Sequence, residues 1–389
     1  MQRKIIVSID SLFYFVVFFL NFISFQNVTL YNYIKYLMLI IGFIYCLLNV
    51  KTVLKCIETK KINVIIILLL IWCVISSFYQ TSLSYRNSLF AGFVNYLSLI
   101  ESIIIIEIAF IKNKEKNLIK CIYNFFLFFL IIQLFEILIA FISNDLYDLR
   151  LYLFGNKFSV CAIFFKTVIF KKLLNEYSDK QSDFKFLILI LLLIIVSKMV
   201  FCTTYLLVGV ILLFIYISKN FNYSLFNKFS IALFMFFLSL SFVFWYPKLF
   251  EVELINNISS YFGENLSNLS GRKNVYTLLP KITTDRLFVG YGYGTSYDVL
   301  MFYSGTADAQ NGFWELIVNI GLVGAVLYSF LLFIPFMDKS RNKKNNILYI
   351  YIIINIIIAF IEVPYVNSLL ILSIMASLIN KFDFLRKGD

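Results

Sequence analysis

Between Ile62 and Gln80 the chain runs INVIIILLLIWCVISSFYQ without a single charged side chain. About 20 apolar residues in a helix cross the hydrocarbon layer of a membrane, and this stretch nearly reaches that length. Residues 186–197 (FLILILLLIIVS) repeat the pattern, and no water-soluble core has room for many such runs. Only 14% of the 389 residues are charged while 61% are hydrophobic, and the mean hydropathy is +0.86. These features define a polytopic membrane protein and exclude a soluble enzyme. The first 25 residues carry Arg3 and Lys4 but lack a small-residue cleavage site, so they read as a retained first helix.

Apolar periodicity predicts an all-α protein with about twelve transmembrane helices, near 5–24, 30–49, 62–80, 89–111, 118–142, 158–173, 185–199, 201–218, 228–246, 311–336, 346–362 and 365–380. Lys198 interrupts the run 185–218, and a hairpin there keeps the later charge pattern consistent. The whole of 1–389 then forms one integral membrane domain, with a large outer loop of about 247–310 between helices 9 and 10. With Met1 inside, 23 of the 34 lysines and arginines fall in segments on the inner side. That bias places both termini in the cytoplasm. It also disposes of the +12 net charge as a nucleic-acid signal, because the excess is spread over short inner loops. The six cysteines show no C-x-x-C or metal-binding spacing, so neither a metal site nor a disulfide framework is expected. No cofactor motif is present, and no internal repeat is visible.

The outer loop contains LFVGYGYGTSY (287–297), whose V-G-Y-G is one residue from a potassium-channel filter. A nucleotide-binding glycine loop would have to face the cytosol, which this position excludes. A channel filter follows a short pore helix and has threonine before the valine. Here Phe288 takes that place, and the preceding TLLPKITTDR is polar, charged and interrupted by Pro280. The remaining reading is that Gly290, Gly292 and Gly294 supply turn conformations closed to other residues.

Asp308, Asn311, Glu315 and Asn319 are spaced as one polar stripe on a membrane helix. Such residues need a cavity or a partner, and Lys35 or Lys198 lies at a suitable depth to pair with Glu315. Against these acids stand the outer cations Arg86, Arg150, Arg272, Lys273 and Arg286. Arginine's planar fork suits phosphate oxygens; for Arg86 and Lys273, a lipid headgroup or solvent contact is the better reading.

From residue 270 the chain reads SGRKNVYTLLPKITTDRLFVGYGYGTSYDVLMFYSGTADAQNGFWELIVNIGLVG. A Ser-Gly-Arg, a G-x-G-x-G turn and a helix opening on a polar pair before Gly-Leu-x-Gly resemble the O-antigen polymerase and ligase family. Weaker echoes occur in LRLYLFGNKFS (149–159) and SKMVFCTTYLL (197–207). The resemblance implies a glycosyltransferase of the bacterial cytoplasmic membrane, acting on a polyprenyl-pyrophosphate-linked oligosaccharide without a nucleotide sugar. The match singles out Arg272; with the polar stripe and the outer cations it makes Arg272, Asp308 and Glu315 the catalytic candidates, and Arg150, Arg286, Lys198, Gln310 and Asn311 the candidates for pyrophosphate binding. Membrane lipid, a flippase and a chain-length regulator are the implied partners. The family often carries His-Asn where this chain has Gln310-Asn311, and the sequence contains no histidine. Gln310 accepts no proton, which favours an O-antigen or capsule polymerase over a ligase. A twelve-helix flippase or transporter is the alternative from another class, with Asp10, Glu101, Glu107 and Lys166 as relay groups. Its sixty-residue outer loop counts against it.

Overall fold

A computed structural model describes residues 9–23, 28–56, 58–79, 87–146, 150–177, 183–218, 228–249, 272–337, 346–364 and 367–388. Their ordered elements are helices, apart from an isolated bridge between Tyr152 and Gly155. In chain order they are α1 (Ile9–Asn21), α2 (Val28–Leu48), α3 (Val50–Val53), α4 (Glu58–Ser77), α5 (Ser88–Ile111), α6 (Glu115–Ile142), α7 (Lys157–Glu176) and α8 (Asp183–Met199). There follow α9 (Thr203–Ile217), α10 (Phe229–Leu249), α11 (Arg272–Thr284), α12 (Ser296–Ser304), α13 (Gly312–Met337), α14 (Asn346–Ile358) and α15 (Asn367–Gly388). Among the described residues, five segments are long and apolar enough to cross a membrane: Thr29–Leu48, Ser88–Ile111, Glu115–Ile142, Phe229–Lys248 and Gly312–Met337. Shorter apolar helices stand beside them. A lipid environment demands this architecture, since a helix satisfies its own backbone groups where no water reaches them. The chain is a multi-pass membrane protein.

Neighbouring helices run back along each other: α4 on α5, α6 on α7, and α8 on α9. Tight ends make the reversals possible. Asn113 (φ 55°) and Asn144 (φ 55°) close α5 and α6 in the left-handed conformation that asparagine tolerates. In each case the next amide reaches back five residues, Lys114 N to Ala109 O (2.7 Å) and Asp145 N to Ala140 O (2.8 Å). Phe201 (φ 56°) ends α8 the same way, with Cys202 N on Ser197 O at 2.8 Å. This is the turn expected near Lys198.

Burial sorts the helices. Residues 348–354 of α14 and 369–379 of α15 are buried throughout and form the centre of the bundle. By contrast, α2 leaves Leu37, Ile40, Phe43 and Leu47 exposed, so it stands at the periphery with these side chains toward hydrocarbon. One end of the bundle is tied by Asp10, which pairs with Lys112 (3.3 Å) and Lys114 and accepts from the Tyr45 hydroxyl (3.0 Å). Asp10 is therefore locked into an ion-pair cluster and is not a free relay group. The opposite end carries α11 and α12 and is called the loop end below.

The segment 247–310 carries two short helices of its own, α11 and α12 within 272–304, while α10 runs on to Leu249, and Pro280 does not interrupt α11. Residues 250–271, which include Ser270 and Gly271, lie outside the described residues. The helix expected at 311–336 is not continuous, because Gly321 breaks α13 with φ 67° and ψ 178°.

Candidate functional site at the loop end

The break at Gly321 frees carbonyls that an unbroken helix would use itself, and the glycine-rich turn supplies their donors. Tyr291 N donates to Val318 O (2.8 Å) and Gly292 N to Asn319 O (3.0 Å). Below the break, Leu322 N donates to Leu287 O (2.7 Å), and the indole Nε1 of Trp72 on α4 reaches Ile320 O (2.8 Å). Unwound backbone at membrane depth is tolerated when protein satisfies it in this manner. Gly290, Gly292 and Gly294 have φ of 72°, 107° and 78°, the left-handed region that favours glycine. A Cβ on Gly290 would lie 2.5 Å from Gly321 N and 2.8 Å from the Asn319 carbonyl; one on Gly321 would collide with the Phe288 carbonyl. The two glycines permit this backbone contact. The Gly292 carbonyl accepts from the Thr295 amide (3.2 Å) and hydroxyl (2.7 Å), so V-G-Y-G forms a docking turn.

The four polar residues do not form one helical stripe, because α13 begins at Gly312 and both Asp308 and Asn311 precede it. Asn311 caps that helix: its Oδ1 accepts from Phe313 N (3.1 Å) and Trp314 N (3.2 Å). Its amide donates to Ser239 O on α10 (3.0 Å), and the side chain is fully buried. Glu315 pairs with neither Lys35 nor Lys198. It accepts from Ala309 N (2.9 Å) and from the Asn319 amide (3.1 Å), bracing the loop against α13. Asn319 Oδ1 in turn receives Gly294 N (2.9 Å). These contacts assign Glu315 and Asn311 to holding the architecture.

Arg272, the first residue of α11, pairs with Glu362 just beyond α14; Nη2 and Oε1 are 3.0 Å apart and both side chains are about five-sixths buried. Among the described residues, the buried Arg272 Nε has no partner. Burial pushes the Glu362 carboxyl up to about 8, although Arg272 pulls the other way and Asp308 adds to the rise. Asp308 is also raised by burial, opposed by the Gln310 amide on its Oδ1 (2.8 Å) and by Arg272. One cation and two carboxylates with raised affinity for protons thus share the loop end. Tyr276 holds the surrounding backbone, its hydroxyl donating to Gln310 O (2.6 Å) and Phe360 O (2.9 Å). Gln310 itself adopts φ 51°, and Gly312 N bonds Ala359 O (2.9 Å), so the two loops form one layer.

The other expected cations are not gathered here. Arg150 pairs with Asp145 (2.5 Å) and stacks over Tyr152 in its own loop. Arg286 lies over the Tyr291 ring at 5.0 Å, and its buried Nη1 has no partner among the described residues. Lys198 is exposed at the end of α8. Arg86 lies outside the described residues.

Two cavities descend from this end. The larger, about 280 Å³, is bounded by Lys35 of α2, Lys166 of α7, Asn95 and Tyr96 of α5, Tyr293 of the glycine turn and Asn367 of α15. The second, about 180 Å³, shares Phe22, Ile23 and Lys166 with it and extends to Val363 and Pro364, next to Glu362. Glu362 and the joint placement of Lys35 and Lys166 escaped sequence reasoning, since both depend on helices distant in the chain. Among the described residues no cluster of His, Cys, Asp and Glu could hold a metal ion. No family model, characterised protein or solved structure matches this chain.

Proposed function

We propose that this protein polymerises polyprenyl-pyrophosphate-linked oligosaccharide units at the outer face of a bacterial cytoplasmic membrane. In this reading it crosses the membrane twelve times, with both termini inside and the loop end outside. The observation that carries the reading is Arg272, the arginine of the Ser-Gly-Arg motif, set in a shielded pair with Glu362 above a cavity. An acceptor hydroxyl attacks the anomeric carbon of the donor sugar, and the bond from that carbon to the phosphate oxygen breaks. The pyrophosphate leaves with the electron pair, and the hydroxyl proton passes to Glu362. A base with pKa near the working pH suits this transfer and replaces the absent histidine. Arg272 stabilises the charge growing on the leaving oxygen, a contribution of preorganised donors. Asp308 keeps Glu362 basic by its proximity.

The test is glycan transfer by purified protein from lipid-linked repeat units. Losing one such charge-stabilising donor costs about 10²–10³ in turnover, so Arg272→Ala should leave single repeat units where the parent makes chains. Arg272→Lys should recover part of the activity, because an ammonium keeps the charge and loses the two-pronged contact. Chains of parental length made by Arg272→Ala at the parental rate would refute the assignment.

A further inference from the structure

Lys35 and Lys166 face one cavity, and among the described residues neither ammonium makes a hydrogen bond or ion pair. Their depths agree. Lys35 lies seven residues into α2 and Lys166 nine residues into α7, and both helices start at the loop end. At about 1.5 Å per residue, their backbones stand roughly 10–13 Å below that end, in one layer of the bundle. A cation at such depth is expensive unless it meets an anion or water, and two beside one space repel each other. No aspartate or glutamate among the described residues lines either cavity, so none of these residues supplies a counter-charge there.

We propose that Lys35 and Lys166 together bind a multiply charged phosphate group carried on a lipid chain. Two ammonium groups supply six donors to phosphate oxygens, which offer both the charge and the acceptors to use them. In the neutral lining, Asn367 Nδ2 already donates to Asn95 Oδ1 (2.8 Å) and the Asn21 amide to Val17 O and Ser102 Oγ, so the donors to a phosphate come from the two lysines. The volume is also adequate, since a water occupies about 30 Å³ of liquid and a diphosphate replaces several. A lipid carrier is favoured by the position of α2, whose outer face exposes Leu37, Ile40 and Leu47. The hydrocarbon tail therefore stays in the bilayer one helix away, while free phosphate would have to descend alone. The identification of this lipid with a sugar carrier rests on the proposed polymerase reading; the phosphate site does not. The lysines then hold an anchoring diphosphate, and Arg272 serves the diphosphate that departs.

The test uses the full chain, delipidated in detergent, with farnesyl diphosphate as probe and thermal unfolding and direct titration as readouts. Farnesyl diphosphate should raise the unfolding temperature while farnesol does not. Lys35→Gln and Lys166→Gln should each weaken its binding at least tenfold, and Lys116→Gln, an exposed lysine at the opposite end of the bundle, should leave it unchanged. Without ligand, Lys35→Met and Lys166→Met should unfold at or above the parental temperature, because each removes an uncompensated charge; a structural ion pair would give the opposite. Binding that ignores both lysines overturns the proposal. Equal affinity for inorganic diphosphate overturns the lipid carrier, and equal, lysine-dependent binding of phosphatidylglycerol overturns the multiply charged headgroup. Loss of glycan transfer with farnesyl diphosphate binding intact would instead count against the polymerase reading alone.

Discussion

Gly290→Ala and Gly305→Ala form a matched pair that isolates the docking of the glycine turn. The two backbones are nearly alike, with φ of 72° and 69°. Each alanine therefore costs about 1 kcal/mol for occupying the left-handed region. What differs is the space: a Cβ on Gly305 meets nothing within 4 Å, whereas one on Gly290 presses on backbone atoms of Asn319 and Gly321. Those atoms cannot rotate away, so the turn must lift. Lifting removes the bonds from Tyr291 to Val318, Gly292 to Asn319 and Leu322 to Leu287. At about 1 kcal/mol each, they bring the Gly290→Ala penalty to about 4 kcal/mol, some 3 kcal/mol beyond the control. The assay is heating of purified protein with a thiol-reactive dye, since all the described cysteines are free and Cys56, Cys73, Cys161 and Cys202 are buried. Heating rates must match, because membrane proteins commonly unfold irreversibly. Equal unfolding temperatures for the two variants would refute the docking argument.

With its pKa near 8, Glu362 as base makes transfer rise with pH up to about 8 and then level off; Glu362→Gln should abolish that rise along with most activity. The stability effect has the opposite sign. Folded protein holds this proton between the ordinary carboxylate range and about 8 while unfolded protein has released it, so stability falls as pH rises through that window. Asn311→Ala removes both a helix cap and a buried donor, and should destabilise by about 2–4 kcal/mol; Asn311→Asp keeps the cap and should lose less, as denaturation midpoints will tell. Reporter fusions at Lys116 and Lys343 should register cytoplasm and one at Gly305 the outside, and an inside signal at Gly305 would place the site on the wrong face for its substrate.

The helices were legible because membrane crossing sets their length and composition residue by residue. Thus α5 and α6 fall within about three residues of the expected ranges. The loop end was not legible in the same way. No hydrocarbon thickness constrains α11, whose Pro280 argued for interruption, and its apolar residues Val275, Tyr276 and Leu279 are explained only by the helices beneath. The i, i+3, i+7 spacing of Asp308, Asn311 and Glu315 presumed one helix through all three, but the helix starts at Gly312, past both Asp308 and Asn311. Arg272 was singled out, but its partner Glu362 lies 90 residues away in the chain, and periodicity carries no information about that distance. Lys35 and Lys166 were recognised as intramembrane charges; that they share a cavity follows only from the packing of α2, α5 and α7.

The contact between Gly290 and Gly321 also ties together two positions in the history of the sequence. Neither residue can grow while the other backbone stays where it is, so a change at one site removes the close contact that excludes a side chain at the other. Related proteins should accordingly keep both glycines or lose both, together with the indole at Trp72 that serves the same break. A homologue retaining one without the other would have had to rebuild how its helix crosses the membrane.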